Sequence, residues 1–179
     1  MIYALHTAIR QHSAAGLCYC RRVTEKIIGF LVSIGLQVRR RDISEPTFMP
    51  GIRIESGALN VDLARLTYPG DLLHEAGHLA LMEPARRTAA TGDAGADGGE
   101  EMGAIAWSYA AALHVPIDPR IVFHPDGYRG GSGAILEAFE CGSYIGLPML
   151  QWAGLALDER RAVATGLPPY PHMLRWLRA

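Results

Sequence analysis

Cysteine is scarce in this chain: of 179 residues only Cys18, Cys20 and Cys141 carry a thiol. An odd count without a secretory leader argues against a disulfide framework. Cys18-Tyr19-Cys20 sets two thiols close together. No second Cys/His pair stands nearby, so they read as small buried residues rather than a metal site. Residues 1–15 include His6, Arg10, Gln11 and His12, which interrupt the apolar core a signal peptide needs. No apolar run reaches the roughly 20 residues of a membrane-spanning helix, so the cytoplasm is the expected location. Excess charge of one sign is missing too. A net charge of -1 and a pI near 6.6 exclude a general nucleic-acid or membrane-surface binder. Two ligand loops are incomplete. Gly130-Gly131-Ser132-Gly133 lacks the Lys-Ser/Thr of a phosphate loop. Asp93 and Asp97, set among glycines, lack the spacing and closing glutamate of a calcium-binding EF-hand.

Hydrophobic residues make up 49% of the chain, enough for one sizeable core, and residues 1–179 read as a single domain. Residues 1–20 are expected to form a loose arm. A helix is expected from Arg21, with Val23, Ile27, Ile28, Phe30, Leu31 and Ile34 at helical spacing and Gly35 as its stop. Leu36-Gln37-Val38-Arg39 alternates as a strand does, and Arg39-Arg40-Arg41 reads as its solvated end. Ile52 and Ile54, then Leu59, Val61 and Leu63, alternate with polar residues around Ser56-Gly57. That is a β-hairpin with one apolar face. The expected fold class is α+β: mostly helical, with a small antiparallel sheet ahead of the next helix.

That helix carries His74-Glu75-Ala76-Gly77-His78, an instance of H-E-x-x-H. Histidines four apart share one helix face and can reach one metal ion. Glu75 follows the first ligand and can hold and deprotonate a water on the metal. This is the zincin pattern, with zinc as Lewis acid and glutamate as general base. Asp71 is the expected N-cap and Pro84 the expected stop. Leu72, Leu73, Ala76, Leu79 and Ala80 make the helix apolar on most sides, so its polar residues need partners. Gly77 costs about 1 kcal/mol relative to Ala inside a helix, and a small residue there permits close approach.

A catalytic zinc takes three protein ligands and keeps one position open. After a glycine-rich loop at 91–99, Glu100-Glu101 opens the next helix, whose apolar face includes Met102, Ile105, Ala106, Tyr109, Ala110 and Leu113. Helix-dipole stabilisation alone accounts for two glutamates in a first turn. As a third ligand, Glu101 shares a stripe with Ile105, Ser108 and Ala112; Glu100 shares one with Ala104, Trp107 and Ala111. Glu101 lies nearer the apolar centre and is preferred, with Glu100 the alternative. The loop 124–133 supplies His124, Tyr128 and Arg129 as candidate donors to a developing oxyanion.

H-E-x-x-H followed by a glutamate opening an alanine-rich helix resembles the gluzincin-type minimal peptidases, including the ImmA/IrrE-type bacterial family. Glu101-Met102-Gly103-Ala104-Ile105-Ala106 is similar to that family's E-A-x-x-[apolar]-A. It departs at Met102, where alanine is usual. The similarity spans roughly residues 21–113. It implies a zincin-like, zinc-dependent fold with His74, His78 and Glu101 as ligands and Glu75 as base. It does not fix a substrate.

The expected activity is therefore zinc-dependent hydrolysis of a peptide or amide, on a peptide or protein substrate, with one zinc per chain. A metal-stabilised binding or regulatory protein without proteolysis is the alternative. The non-haem iron facial triad uses the same ligand types, but usually from a β-barrel. In the last third, Ile135, Leu136 and Phe139 fit a helix ending at Gly142, and a short helix is expected near Pro148–Leu155. Pro168-Pro169-Tyr170-Pro171 reads as rigid and extended. The apolar tail Met173, Leu174, Trp176 and Leu177 suits docking on the core or on a second copy, as in a homo-oligomer.

Overall fold

A computed structural model describes residues 14–92 and 98–179. Most of the expected N-terminal arm, and Asp93 and Asp97 of the glycine-rich loop, lie outside the described residues. Helix α1 (Ala14–Ser33) begins earlier than its apolar spacing suggests, so residues 14–20 are helix rather than arm. Cys18 is exposed and Cys20 half-buried, which corrects the reading of both as core residues. Val23, Ile27, Phe30 and Leu31 face the core. The helix ends where expected. Gly35 adopts φ +94°, and Leu36 N–H reaches back to the Leu31 carbonyl at 3.0 Å, as left-handed C-terminal caps do.

The sheet holds β1 (Gln37–Arg40), β2 (Ile52–Glu55) and β3 (Ala58–Val61) in the order β1-β3-β2. β2 and β3 form the expected hairpin. Ser56 and Gly57, at φ 49° and 73°, make its two-residue turn, the left-handed geometry that matches strand twist. A Cβ at Gly57 would also stand 2.5 Å from the Arg87 carbonyl oxygen. The sheet is mixed, not antiparallel as expected, because β1 pairs parallel to β3. The cause is the route between them: parallel neighbours need a crossover, and residues 41–51 together with β2 provide it. The arginine run is solvated, with Arg40 on Glu25 and Arg41 on Glu55.

Two helices dominate the core. Every residue of α2 (Asp71–Leu81) is buried, as are 103–112 of α4 (Gly98–His114). Between them lies α3 (Pro84–Ala89), with Pro84 in its first turn, so Pro84 starts the next helix rather than merely stopping α2. At Gly77 a Cβ would lie 2.9 Å from the Ala104 carbonyl oxygen, so this glycine sets how closely α2 and α4 pack. The fold is α+β and about half helical. No described helix is long and apolar enough to cross a membrane.

The C-terminal third wraps this pair. Helices α5 (Ser132–Glu140), α6 (Leu147–Trp152) and α7 (Glu159–Thr165) follow two 3-10 turns, Pro119–Ile121 and Tyr128–Gly130. Tyr109, Phe123, Phe139, Tyr144 and Tyr170 stack edge to face or at a tilt, and Tyr170 Oη donates to the Ala106 carbonyl at 2.9 Å. Residues 170–172 form a turn rather than an extended run. The apolar tail docks on its own core. Trp176 packs on Phe30 and Trp107, and Trp107 Nε1 donates to the Trp176 carbonyl at 3.0 Å. Arg87 ties the tail to α2, donating to the carbonyls of Leu79, Met82 and Arg178 at 2.9, 2.9 and 2.6 Å.

Candidate metal centre

The α2–α4 contact brings three ligand-type side chains together. His74 and His78 stand one turn apart on α2, with their Nε2 atoms 3.1 Å from each other. Glu101, in the first turn of α4, places one carboxylate oxygen 3.2 Å from His78 Nε2 and the other 3.5 Å from His74 Nε2. One ligand atom from each of the three residues lies within 4.8 Å of the others, so the group can hold a metal ion. Donors about 2.0–2.1 Å from a tetrahedral zinc stand about 3.3 Å apart. The observed spacings fall around that value, and two imidazoles with a carboxylate are a donor set zinc accepts.

Glu100 points elsewhere. It pairs with Arg86, one contact measuring 2.8 Å. Its side chain is 19% exposed against 38% for Glu101, so burial alone would have favoured the wrong member of the pair for this cluster. Direction decides instead: Glu101 leans toward α2. Glu75, the expected base, is buried on α2 between the two histidines in sequence.

The electrostatics follow from the packing. Hydrogen bonds from both imidazoles hold the Glu101 carboxyl well below the usual carboxylate range. For His74, burial opposes the charged form, but the bond to Glu101 and its charge outweigh it, and the imidazole is pushed up from its ordinary 6.5.

The loop after the first 3-10 turn lies along α2. Gly70 permits this, since a Cβ there would be 2.1 Å from the Ile121 carbonyl oxygen. His124 Nε2 donates to Asp71 Oδ1 at 3.0 Å, and both side chains are buried. Asp71 is therefore not the N-cap expected of it. Gly70 occupies that position without a side-chain cap, and the Asp71 carboxylate is spent on His124. Tyr68 stacks flat on the His124 ring at 3.7 Å and hydrogen-bonds Asp126, which pushes its hydroxyl up to about 12. Four residues on, the Tyr128 hydroxyl meets His74 Nδ1 at 3.1 Å. Tyr128 and Arg129 both adopt left-handed backbone, φ 51° and 53°, at an expected cost of about 1–2 kcal/mol each.

Of the three candidate oxyanion donors, two thus have polar atoms engaged with α2, and Arg129 is exposed. The sequence reading missed Asp71 and Tyr68 as partners of His124. The pattern Asp71-x-x-His74 on one helix stripe was the available signal, because it places two polar groups on a face that must find partners. Against known proteins, the chain matches no family model, no curated protein and no solved structure.

Proposed function

We propose that this protein is a zinc-dependent hydrolase of peptide or amide bonds, with His74, His78 and Glu101 as metal ligands and Glu75 as general base. The observation that carries the reading is the convergence of the two Nε2 atoms and the Glu101 carboxylate at 3.1–3.5 Å. Zinc held there would polarise the scissile carbonyl and make a water acidic enough to attack near neutral pH. Glu75 takes the proton from the attacking water as the new C–O bond forms, then delivers it to the leaving nitrogen as the C–N bond breaks. Low exposure of His74, Glu75 and His78 keeps bulk water from screening this exchange.

A zincin-like architecture, as the resemblance implies, accommodates the same arrangement: hairpin, then metal helix, then a third ligand on the following helix. The proposed substrate is a peptide or protein, and the proposed location is the cytoplasm.

One observation favours the alternative of a metal-stabilised binding or regulatory protein. The ligands bridge α2 to the first turn of α4, so a bound ion would also staple the core. Glu75→Gln separates the two readings. Under the hydrolase reading it keeps one zinc per chain and loses peptide cleavage by about 10²–10⁴-fold. Under the alternative no peptide pool is cut by either form, while removal of zinc lowers the melting temperature strongly.

A further inference from the structure

Two glutamates open α4, and only one of them meets the histidines. Glu101 places its carboxylate oxygens 3.2 and 3.5 Å from the two imidazole Nε2 atoms. Glu100 is held by Arg86 through a two-pronged pair, Nη2 to Oε2 at 2.8 Å and Nη1 to Oε1. The platform behind Arg86 is fixed. Its neighbour Arg87 binds α3 to the end of α2 and to the tail through three carbonyls. The hairpin turn packs Gly57 against the Arg87 carbonyl, and Gly57 N–H donates to the Ala90 carbonyl at 2.9 Å. Arg86 thus reaches Glu100 from a helix that is itself tied to the metal helix and to the sheet.

The turn that carries the two glutamates is weak by itself. It begins with Gly98 and Gly99, and glycine is the poorest helix former after proline. The buried stretch of α4 starts only at Gly103. Successive helix residues point about 100° apart, so a helical turn presents one of the two carboxylates to α2 and not both. Glycine backbone takes up many conformations, so this turn can re-form with Glu100 in the place of Glu101. The two side chains are chemically identical. What separates them is the guanidinium of Arg86, whose planar fork matches a carboxylate with two parallel bonds.

We propose that Arg86 is a positioning residue that selects the metal's carboxylate: by holding Glu100 against α3, it leaves Glu101 as the glutamate that meets His74 and His78. Arg86 acts through Glu100, not on the ion. With the arginine in place the ion finds one ligand geometry. Without it, two adjacent carboxylates compete for one position. The selection is as strong as the ion pair. Arg86 is 55% exposed, which weakens the pair; the two-pronged geometry and the 19% exposure of Glu100 strengthen it. Releasing Glu100 should be worth about three- to tenfold in zinc affinity when Glu101 is missing. This role deepens the zinc reading above and rests on it.

The test uses the full chain, with zinc as the probe and chelator competition as the readout. Wild type and Glu101→Ala are each compared with and without Arg86→Ala. Removing the arginine should strengthen zinc binding about three- to tenfold in the chain that lacks Glu101, and less than about twofold in the chain that keeps it. Loss of a positive charge alone would raise both affinities by the same factor, so the difference between the two backgrounds reads ligand selection. Adding Glu100→Gln to the double variant should abolish the gain, because the carboxylate that supplies it is gone. Arg86→Lys keeps the charge but not the fork; it should give part of the same gain, and it replaces Arg86→Ala if that variant folds poorly. In a wild-type chain that binds zinc, no gain, an equal effect in both backgrounds, or a gain that survives Glu100→Gln overturns the selection and leaves the metal reading standing. A wild-type chain that binds no zinc overturns the metal reading and the selection with it.

Discussion

The two helices that meet at the cluster contribute to it in opposite ways. α2 offers His74, Glu75 and His78 from a segment buried along its whole length, set by Gly77 against Ala104 on one side and by the Asp71–His124 bond on another. α4 offers Glu101 from its first turn, two residues before its buried stretch begins, with the side chain 38% exposed. Most of the site is thus built into the core, and one residue is brought in at its rim. Core placement fixes the imidazoles before any ion arrives. Rim placement leaves the carboxylate partly open to solvent beside the two imidazoles.

If this contrast is right, damage on α2 should exceed damage on α4. The largest expected effect is that of His78→Ala, which takes a ligand from the fixed half. Zinc should be lost altogether at micromolar metal, as measured by mass spectrometry of the intact chain. Glu101→Ala should cost less, because the two histidines still offer a site. A fall of one to a few orders of magnitude in zinc affinity is expected by chelator competition, and equal loss in the two variants would contradict the built-in versus brought-in distinction.

Packing gives the next effect. Gly77→Val forces a branched side chain against the Ala104 carbonyl, at an expected cost of about 1–3 kcal/mol. For a domain of this size that is a fall of roughly 2–12 °C in Tm. A matched substitution at Gly98, where an added Cβ meets nothing within 4 Å, should change Tm much less. Calorimetry on the two variants compares core with rim directly.

The pH dependence sharpens the same comparison. The Glu101 carboxyl lies below its ordinary 4.5, so its contribution is present above that pH and is lost as pH falls through the folded value. His74 lies above its ordinary 6.5, so its contribution is full below 6.5 and is lost as pH rises through the folded value. The metal-free chain should therefore be more stable near pH 6 than near about pH 8.5. Protons must leave the imidazoles for zinc to bind, so the rise in Tm on adding zinc should grow over that interval. A metal-free Tm that rises across it would show that the His74–Glu101 pair is not coupled as described. The smallest expected effect is that of Glu25→Ala, which breaks an exposed pair with Arg40 worth about 0–1 kcal/mol.

How far the sequence could be read follows the same division. Regular periodicity made α1, the hairpin and α2 legible, because each buries one stripe or face that repeats at the period of its element. Histidines four apart gave the cluster's core half for the same reason. The parallel pairing of β1 was not legible: a four-residue strand carries no mark of its partner's direction, and only the crossover reveals it. α7 was missed because it buries little beyond Ala162 and shows no apolar stripe. Its signals are the Asp158 cap, accepting from Arg161 N–H at 2.7 Å, and the left-handed Gly166. Tyr128's place behind His74 depends on two successive left-handed residues, Tyr128 and Arg129, in a conformation that side-chain type does not announce.

The most direct measurement is zinc per chain in wild type, Glu101→Ala and Glu100→Ala, at a metal concentration that just saturates wild type. One zinc in wild type, retained in Glu100→Ala and lost or sharply reduced in Glu101→Ala, is the predicted result. No zinc in wild type, or loss in Glu100→Ala with retention in Glu101→Ala, would contradict the assignment of His74, His78 and Glu101 as the metal centre.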